Sequence, residues 1–464
     1  MRAVARRLIS SSTMPPMTSL SNPPPAFSVA GGKGVRVSDE SGRTFLEGMS
    51  GLWCTSLGWG NEELIETTAE QMRELSYYHS FSGRRVPVAD QLAEKLIEVA
   101  PPQFAGGKVF FGQSGSDAND TQVRLLWMYN RAIGRPEKRK VISRLRGYHG
   151  VTCAAGSLTG LPYVGTPNAL GDESASGLPL DFVPRHVTCP SHYRDGREGE
   201  DEAKFVARLA AELDSVIEAE GPSTVAAFIA EPIQGAGGVI APPAGYFEAI
   251  RKVPAKHEVL MIGDEVICGF GRCGTMWGAE AVGQTPDLIS CAKQLTSGYV
   301  PLSAVLLPAH MHDTIAHANG ASGAIFGHGY TYTGHPVSCA VALKVLEITA
   351  RDNLVQRVAD TLGPHFQRRL RQLEAHPLVG EARGAGLLGG LELVEDKPSR
   401  MQFAPSRAAA PKVVAAAFEH GLILRPLTGD VVAVCPPLVI TLEEVDEIFD
   451  KLEAALDDTL DALG

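Results

Sequence analysis

Four short runs constrain this chain most: KVISRL (140–145), VAAFIA (225–230), VLMIGDEV (259–266) and DLISCAK (287–293). Each is almost wholly apolar rather than alternating. A strand apolar at successive positions has both faces covered, which is the pattern of parallel strands between helices. Segments of helical periodicity separate the runs. The sequence therefore predicts an α/β fold with a mostly parallel sheet.

The flanking segments extend this reading. Residues 34–48 predict a hairpin around a Ser-Gly turn, and residues 62–75 and 88–99 predict helices, the second after Pro87. VFF (109–111) predicts a short strand that leads through GQSGSDAND into a helix ending near Ile133. Further on, 336–350, 353–373, 408–420 and 442–460 carry helical patterns. Residues 384–394 predict a Gly-rich turn into a strand, and LILRPLTGDVVAVCPPLVI a strand pair around Gly-Asp. The expected organisation is a flexible tail (1–25), a segment (26–65) packing on the C-terminal part, a large α/β domain (66–335) and a small α+β domain (336–464).

Composition excludes several classes. With 464 residues, 44% hydrophobic and 20% charged, the chain can bury a core of ordinary size. Its net charge of −11 is the wrong sign for neutralising nucleic-acid phosphates. No apolar run approaches the ~18–20 residues of a membrane span. The eight cysteines show no CxxC and no regular spacing, so they predict free thiols in a reducing compartment and no metal centre. The basic, Ser-rich start MRAVARRLISSS resembles a transit segment but is read as a poorly ordered extension of a cytoplasmic protein.

Ligands of open parallel sheets bind beyond the carboxyl ends of the strands. Three polar features fall there. Gly115 and Ser116 lie between a strand and a helix start, where free N–H groups and the helix dipole favour a phosphate. Asp264 ends one buried run, and Lys293 ends another. A phosphate cup, a carboxylate and a lysine amine are the parts pyridoxal 5'-phosphate (PLP) requires. Its aldehyde condenses with the amine, and its ring nitrogen must face an anion to remain protonated.

At these residues the chain resembles the class III aminotransferases, of the aspartate-aminotransferase fold type (fold type I). The resemblance rests on GDEVICGFGR (263–272), Lys293 in PDLISCAKQLTSGYVPLSAV, VFFGQSGSDAND, RGYHG (146–150), AEPIQGAGG (230–238), HGYTYTGHP (328–336) and GDVVAVCPPL (429–438). It implies Lys293 as the cofactor-bearing and proton-shuttling lysine, and Asp264 as the partner of the ring nitrogen. Tyr148 and Val266 would pack on the two faces of the ring, Gly115 and Ser116 would hold the phosphate, and Glu231 would lie near the Asp264 edge. Thr331 would reach the phosphate of a neighbouring subunit, implying a homodimer or a dimer of dimers. His149 and His335 are read as packed histidines. GAGLLG (384–389) matches a dinucleotide fingerprint, but it leads into a strand rather than a helix and is set aside.

Within the family, Trp53 in GLWC and Arg425 in LILRPLTGD resemble the pocket aromatic and the mobile carboxylate-binding arginine of the ω-amino acid and amine:pyruvate transaminases. Ala433 stands where 2-oxoglutarate-using relatives carry an arginine paired with the residue matching Glu231. The expectation is amino transfer from an ω-amino acid or primary amine to pyruvate by ping-pong kinetics. The alternatives are a 2-oxoglutarate transaminase, an aminomutase or a non-catalytic PLP-binding protein.

Overall fold

In the computed structural model, residues 14–19, 27–164 and 186–463 are described. Residues 1–13 and 20–25 of the expected tail lie outside the described residues. The first sheet begins with β1 (Val29–Lys33), β2 (Arg36–Asp39) and β3 (Thr44–Glu47). The β2–β3 turn closes on Asp39, whose Oδ1 accepts from the Ser41 hydroxyl and from the Ser41 and Arg43 backbone N–H groups.

Seven strands make the central sheet: β4 (Lys108–Gly112), β5 (Lys140–Arg144), β6 (His186–Val187), β7 (Val225–Ala230), β8 (Leu260–Asp264), β9 (Leu288–Cys291) and β10 (Ser303–Leu307). Their order is β4-β10-β9-β8-β7-β5-β6. The four apolar runs become β5, β7, β8 and β9, and all pair in parallel. β10 runs antiparallel to both β9 and β4. β4 therefore points the same way as the parallel strands. Gly112, Arg144, Ala230, Asp264 and Cys291 consequently end along one edge of the sheet.

Alternate residues of β7 face opposite ways, as strand geometry requires. Ala227 and Ile229 pack with Ala118, Leu125 and Leu126 of the helix Gly115–Ala132. Phe228 and Ala230 pack with Phe205, Leu209 and Phe247 from the helices Glu202–Glu220 and Tyr246–Lys256. Helices cover both faces, so the strands could carry no polar alternation.

The C-terminal part supplies β11 (Val379–Ala385), β12 (Leu388–Leu393), β13 (Leu422–Ile423), β14 (Arg425–Leu427) and β15 (Val431–Val434). β11, β12, β15 and β14 form an antiparallel sheet, whereas β13 pairs in parallel with β3 through Leu422 and Leu46. Val35 and Leu46 join one apolar core with Val413, Phe449 and Leu452. GAGLLG spans the β11–β12 hairpin, strand to strand. Buried Arg272 ties the three parts together. It donates to the Leu387 carbonyl at 3.2 Å, the Pro436 carbonyl, and the Ser50 Oγ at 3.3 Å.

Candidate active site

The common edge of the sheet opens on a cavity of about 350 Å³, within the usual size of a small-ligand site. Gly115, Ser116, Tyr148, Glu231, Asp264, Val266 and Lys293 all line it. They arrive from the ends of five strands, β4, β5, β7, β8 and β9, so the constellation exists once the strands are aligned.

The helix Gly115–Ala132 starts at a complete capping box. Ser114 Oγ accepts from the Asp117 N–H at 3.2 Å, and Asp117 accepts from the Ser114 N–H. Asp117 also takes the Gln113 N–H at 2.9 Å and the Ser303 hydroxyl at 2.8 Å. The first two helical N–H groups, those of Gly115 and Ser116, have no acceptor within the helix, which leaves them for an anion. A Cβ at Gly115 would sit 2.9 Å from Val266, so glycine is what lets the turn lie against that side chain. Gly150, at φ +130°, passes so close that a Cβ would meet Ser116 Oγ at 2.5 Å.

Asp264 is buried beneath the cavity and has three hydrogen-bond partners. Its Oδ2 lies 2.8 Å from His149 Nδ1 and accepts from Asn119 Nδ2 at 2.9 Å, and its Oδ1 accepts from the Val266 N–H at 3.1 Å. An ionised carboxylate has about four lone-pair sites, so capacity remains for one further donor from the cavity. Glu231 accepts from the Tyr148 N–H at 3.0 Å and the Gly235 N–H at 2.9 Å. Burial, with the Asp264 charge nearby, raises its pKa above the ordinary carboxylate value, opposed by His149 and those two N–H groups.

Lys293 follows β9 in the left-handed region, at φ 44°. That conformation is costly for a residue with a Cβ and persists where surrounding structure over-determines it. The anchor is buried Gln294, whose Nε2 donates to the Ile267 and Gly269 carbonyls at 3.0 and 2.8 Å. This locks the lysine turn to the loop following Asp264. Cys54 sits close enough that the Lys293 charge opposes the upward push of burial on its thiol.

Three expected residues lie elsewhere. Trp53 is buried in a core with Met49, Ile233 and Val239 and does not line the cavity. Left-handed turns at Ser50, Gly51 and Trp53 send the indole inward, and Leu52 and Cys54 form the wall instead. Thr331 is exposed, and its carbonyl accepts from the Tyr77 hydroxyl at 2.9 Å. Arg425, on β14 opposite Ala433, stands beyond the cavity lining. Burial pushes the Tyr148 and Tyr163 phenols up, and the Arg425 charge beside them opposes that. Sequence reasoning missed Asn119 and the contact of His149 with Asp264. The available signal was spacing: Asn119 lies one helical turn after Gly115, on the same face.

Glu47 supports the wall from behind, accepting the Gly51 N–H at 2.6 Å and the Met49 N–H at 3.3 Å. Burial raises its pKa from 4.5 to about 7. A carboxyl whose folded-state value is raised stabilises the fold below its unfolded value, and that contribution is lost as pH rises through 7. The loss amounts to roughly 3 kcal/mol at most. Glu47→Gln keeps an oxygen for the Gly51 N–H and removes the titration. Its melting temperature is expected to fall less than the parent's between about pH 5 and about pH 8. Parallel declines in thermal unfolding scans of the two proteins would contradict this.

The residues present fit PLP: two open N–H groups at a helix start, a buried carboxylate with lone-pair capacity left, flanking Tyr148 and Val266, and a lysine. The fold and this cavity define a PLP-dependent transferase of fold type I. The Aminotransferase class-III family model matches residues 18–456. A diaminobutyrate–2-oxoglutarate transaminase of Halomonas elongata is 43% identical, over 95% of this chain and 92% of its own. The chloroplastic gamma aminobutyrate transaminase 3 of Solanum lycopersicum is 44% identical, over 92% and 80%. A solved omega transaminase from Pseudomonas jessenii in complex with PMP superposes with a TM-score of 0.91 at 44% identity, over 99% of this chain and 98% of that one. A solved transaminase with L-Ala gives a TM-score of 0.89 at 44% identity, over 94% and 100%. The chain belongs to the class III aminotransferases and is a PLP-dependent transaminase.

Proposed function

We propose that this transaminase moves the amino group of an ω-amino acid or primary amine to pyruvate, the two half-reactions using one site in turn. The observation that carries this reading is the pairing of Glu231. Both its oxygens accept backbone N–H groups, the position opposite Arg425 is Ala433, and among the described residues no arginine lines the cavity to pair with Glu231. A five-carbon diacid acceptor needs two anion sites, whereas pyruvate needs one. The solved relative with L-Ala fits the same direction, since alanine is the aminated form of pyruvate.

Bound PLP supplies the electron sink that makes the hydrogen on the amine-bearing carbon acidic. The chain supplies the rest. Lys293, set by its strained turn at the cavity wall, carries the cofactor at rest and moves the proton as base and then acid. Asp264 holds its charge where the ring nitrogen needs it. Tyr148 and Val266 confine the ring, and Leu52 and Cys54 bound the substrate space. Arg425, beyond the lining but near enough for its charge to act on Tyr148 and Tyr163, would fork a substrate carboxylate. Thr331, exposed on this chain, completes the phosphate cup of a neighbouring copy in a homodimer.

The test is a panel of amines and ω-amino acids against pyruvate and 2-oxoglutarate with the PLP-loaded protein. Pyruvate is expected to be used at least about tenfold faster, since a hydrogen-bonded charge contributes about that much. Faster turnover with 2-oxoglutarate, the acceptor named for the Halomonas relative, would overturn the proposal. In the same panel Arg425→Ala is expected to lower kcat/KM by about 10- to 100-fold for carboxylate-bearing donors and to spare simple amines.

A further inference from the structure

The donors to Asp264 are unequal in what they can do. A histidine ring nitrogen donates or accepts according to its tautomer, so the His149 contact does not by itself dictate where hydrogens lie. Asn119 has no such freedom. Its Nδ2 faces two acceptors, the His149 carbonyl at 2.7 Å and Asp264 Oδ2 at 2.9 Å. Its Oδ1 accepts from Gln122 Nε2 at 2.9 Å, one turn further along the same helix. Turning the amide over would set its oxygen against two oxygens and leave its hydrogens without acceptors there. Asn119 and Gln122 are both buried, Asn119 at the wall of the cavity.

We propose that Asn119 is a positioning residue for the transamination: by donating to Asp264 from a fixed, uncharged amide, it keeps the shared proton on the PLP ring nitrogen. The two partners of Asp264 whose direction is fixed both donate to it, the Val266 N–H and Asn119 Nδ2, while the His149 Nδ1 contact follows the ring's tautomer. Each such bond favours the oxygen that accepts it remaining an acceptor. The proton held between Asp264 and the ring is then left with the ring, where it makes the cofactor an electron sink. Asn119 lines the cavity beside Asp264, and its role is exerted through that carboxylate. The inference rests on the ring nitrogen meeting Asp264.

The experiment loads wild type, Asn119→Leu and Asn119→Ala with PLP labelled with ¹⁵N in the ring and records the nitrogen chemical shift, alongside kcat, KM for the amine and thermal unfolding. Leucine matches asparagine in size and donates nothing, and alanine guards against a leucine variant that fails to fold. The wild-type signal is expected at the protonated position. In the variants it moves toward the neutral position, kcat falls by about 10- to 100-fold, and KM stays within about twofold. A folded variant that keeps the wild-type shift and a kcat within about threefold overturns the role of Asn119 while leaving the Asp264 contact standing. A wild-type signal already at the neutral position overturns the Asp264 contact itself, and this inference with it.

Discussion

Lys293→Ala is expected to lower kcat/KM for transamination by roughly 10⁴-fold, the upper range for loss of a positioned acid–base group. PLP should still bind, because the N–H groups of Gly115 and Ser116 and the buried carboxylate of Asp264 are untouched. Borohydride reduction followed by peptide mapping separates the two effects. In the parent the cofactor is trapped on the peptide containing position 293, and in the variant no lysine peptide carries it. The size of the loss follows from the geometry. The lysine is held at a left-handed φ of 44° by the Gln294 clamp, and Ala292, Thr296 and Gly298 are its companions in the wall. Among the described residues no other lysine lines the cavity to substitute for it. A loss below about 100-fold would mean that another group moves the proton.

Asp264→Asn has the second-largest expected effect. The amide matches the carboxylate in shape, so packing survives, but a buried anion is removed from a site built around it. Breaking one side of a buried charge pair costs about 3–5 kcal/mol, which corresponds to a loss of roughly 150- to 5,000-fold. An amide NH₂ would also face His149 Nδ1 or Asn119 Nδ2, so part of the cost falls on PLP affinity. Equilibrium dialysis of the cofactor, run beside steady-state kinetics, reads both. A variant with kcat within about tenfold of the parent and undiminished PLP affinity would remove Asp264 from its assigned place.

Much of the central architecture was legible because its signal is local. Runs such as VAAFIA announce strands covered on both faces, and β5, β7, β8 and β9 coincide with them. The hairpin near 34–48, the helix after Pro87 and the β14–β15 pair follow turn and cap chemistry that a short window contains. Other features carry no local signature. SAVLL resembles its parallel neighbours in composition, yet β10 runs antiparallel, because strand direction is set by the connections at its ends. The parallel pairing of β13 with β3 joins residues nearly the length of the chain apart. Trp53 illustrates the same limit at the site: its neighbours in sequence line the cavity, while backbone turns at Ser50 and Gly51 bury its ring.

By its sequence alone the chain determined the chemistry available to it: which residues can carry an aldehyde, face a ring nitrogen or open a helix onto a phosphate. Those properties belong to side chains and to the few residues around them, so they survive without a fold. Tertiary structure alone decided the partnerships. Asp264 meets His149 and Asn119 because three strand ends converge on one edge, and Lys293 takes a strained conformation because Gln294 finds carbonyls from a distant loop. Hydrogen bonds reach about 3 Å, and residues far apart along the chain come that close when the core has packed.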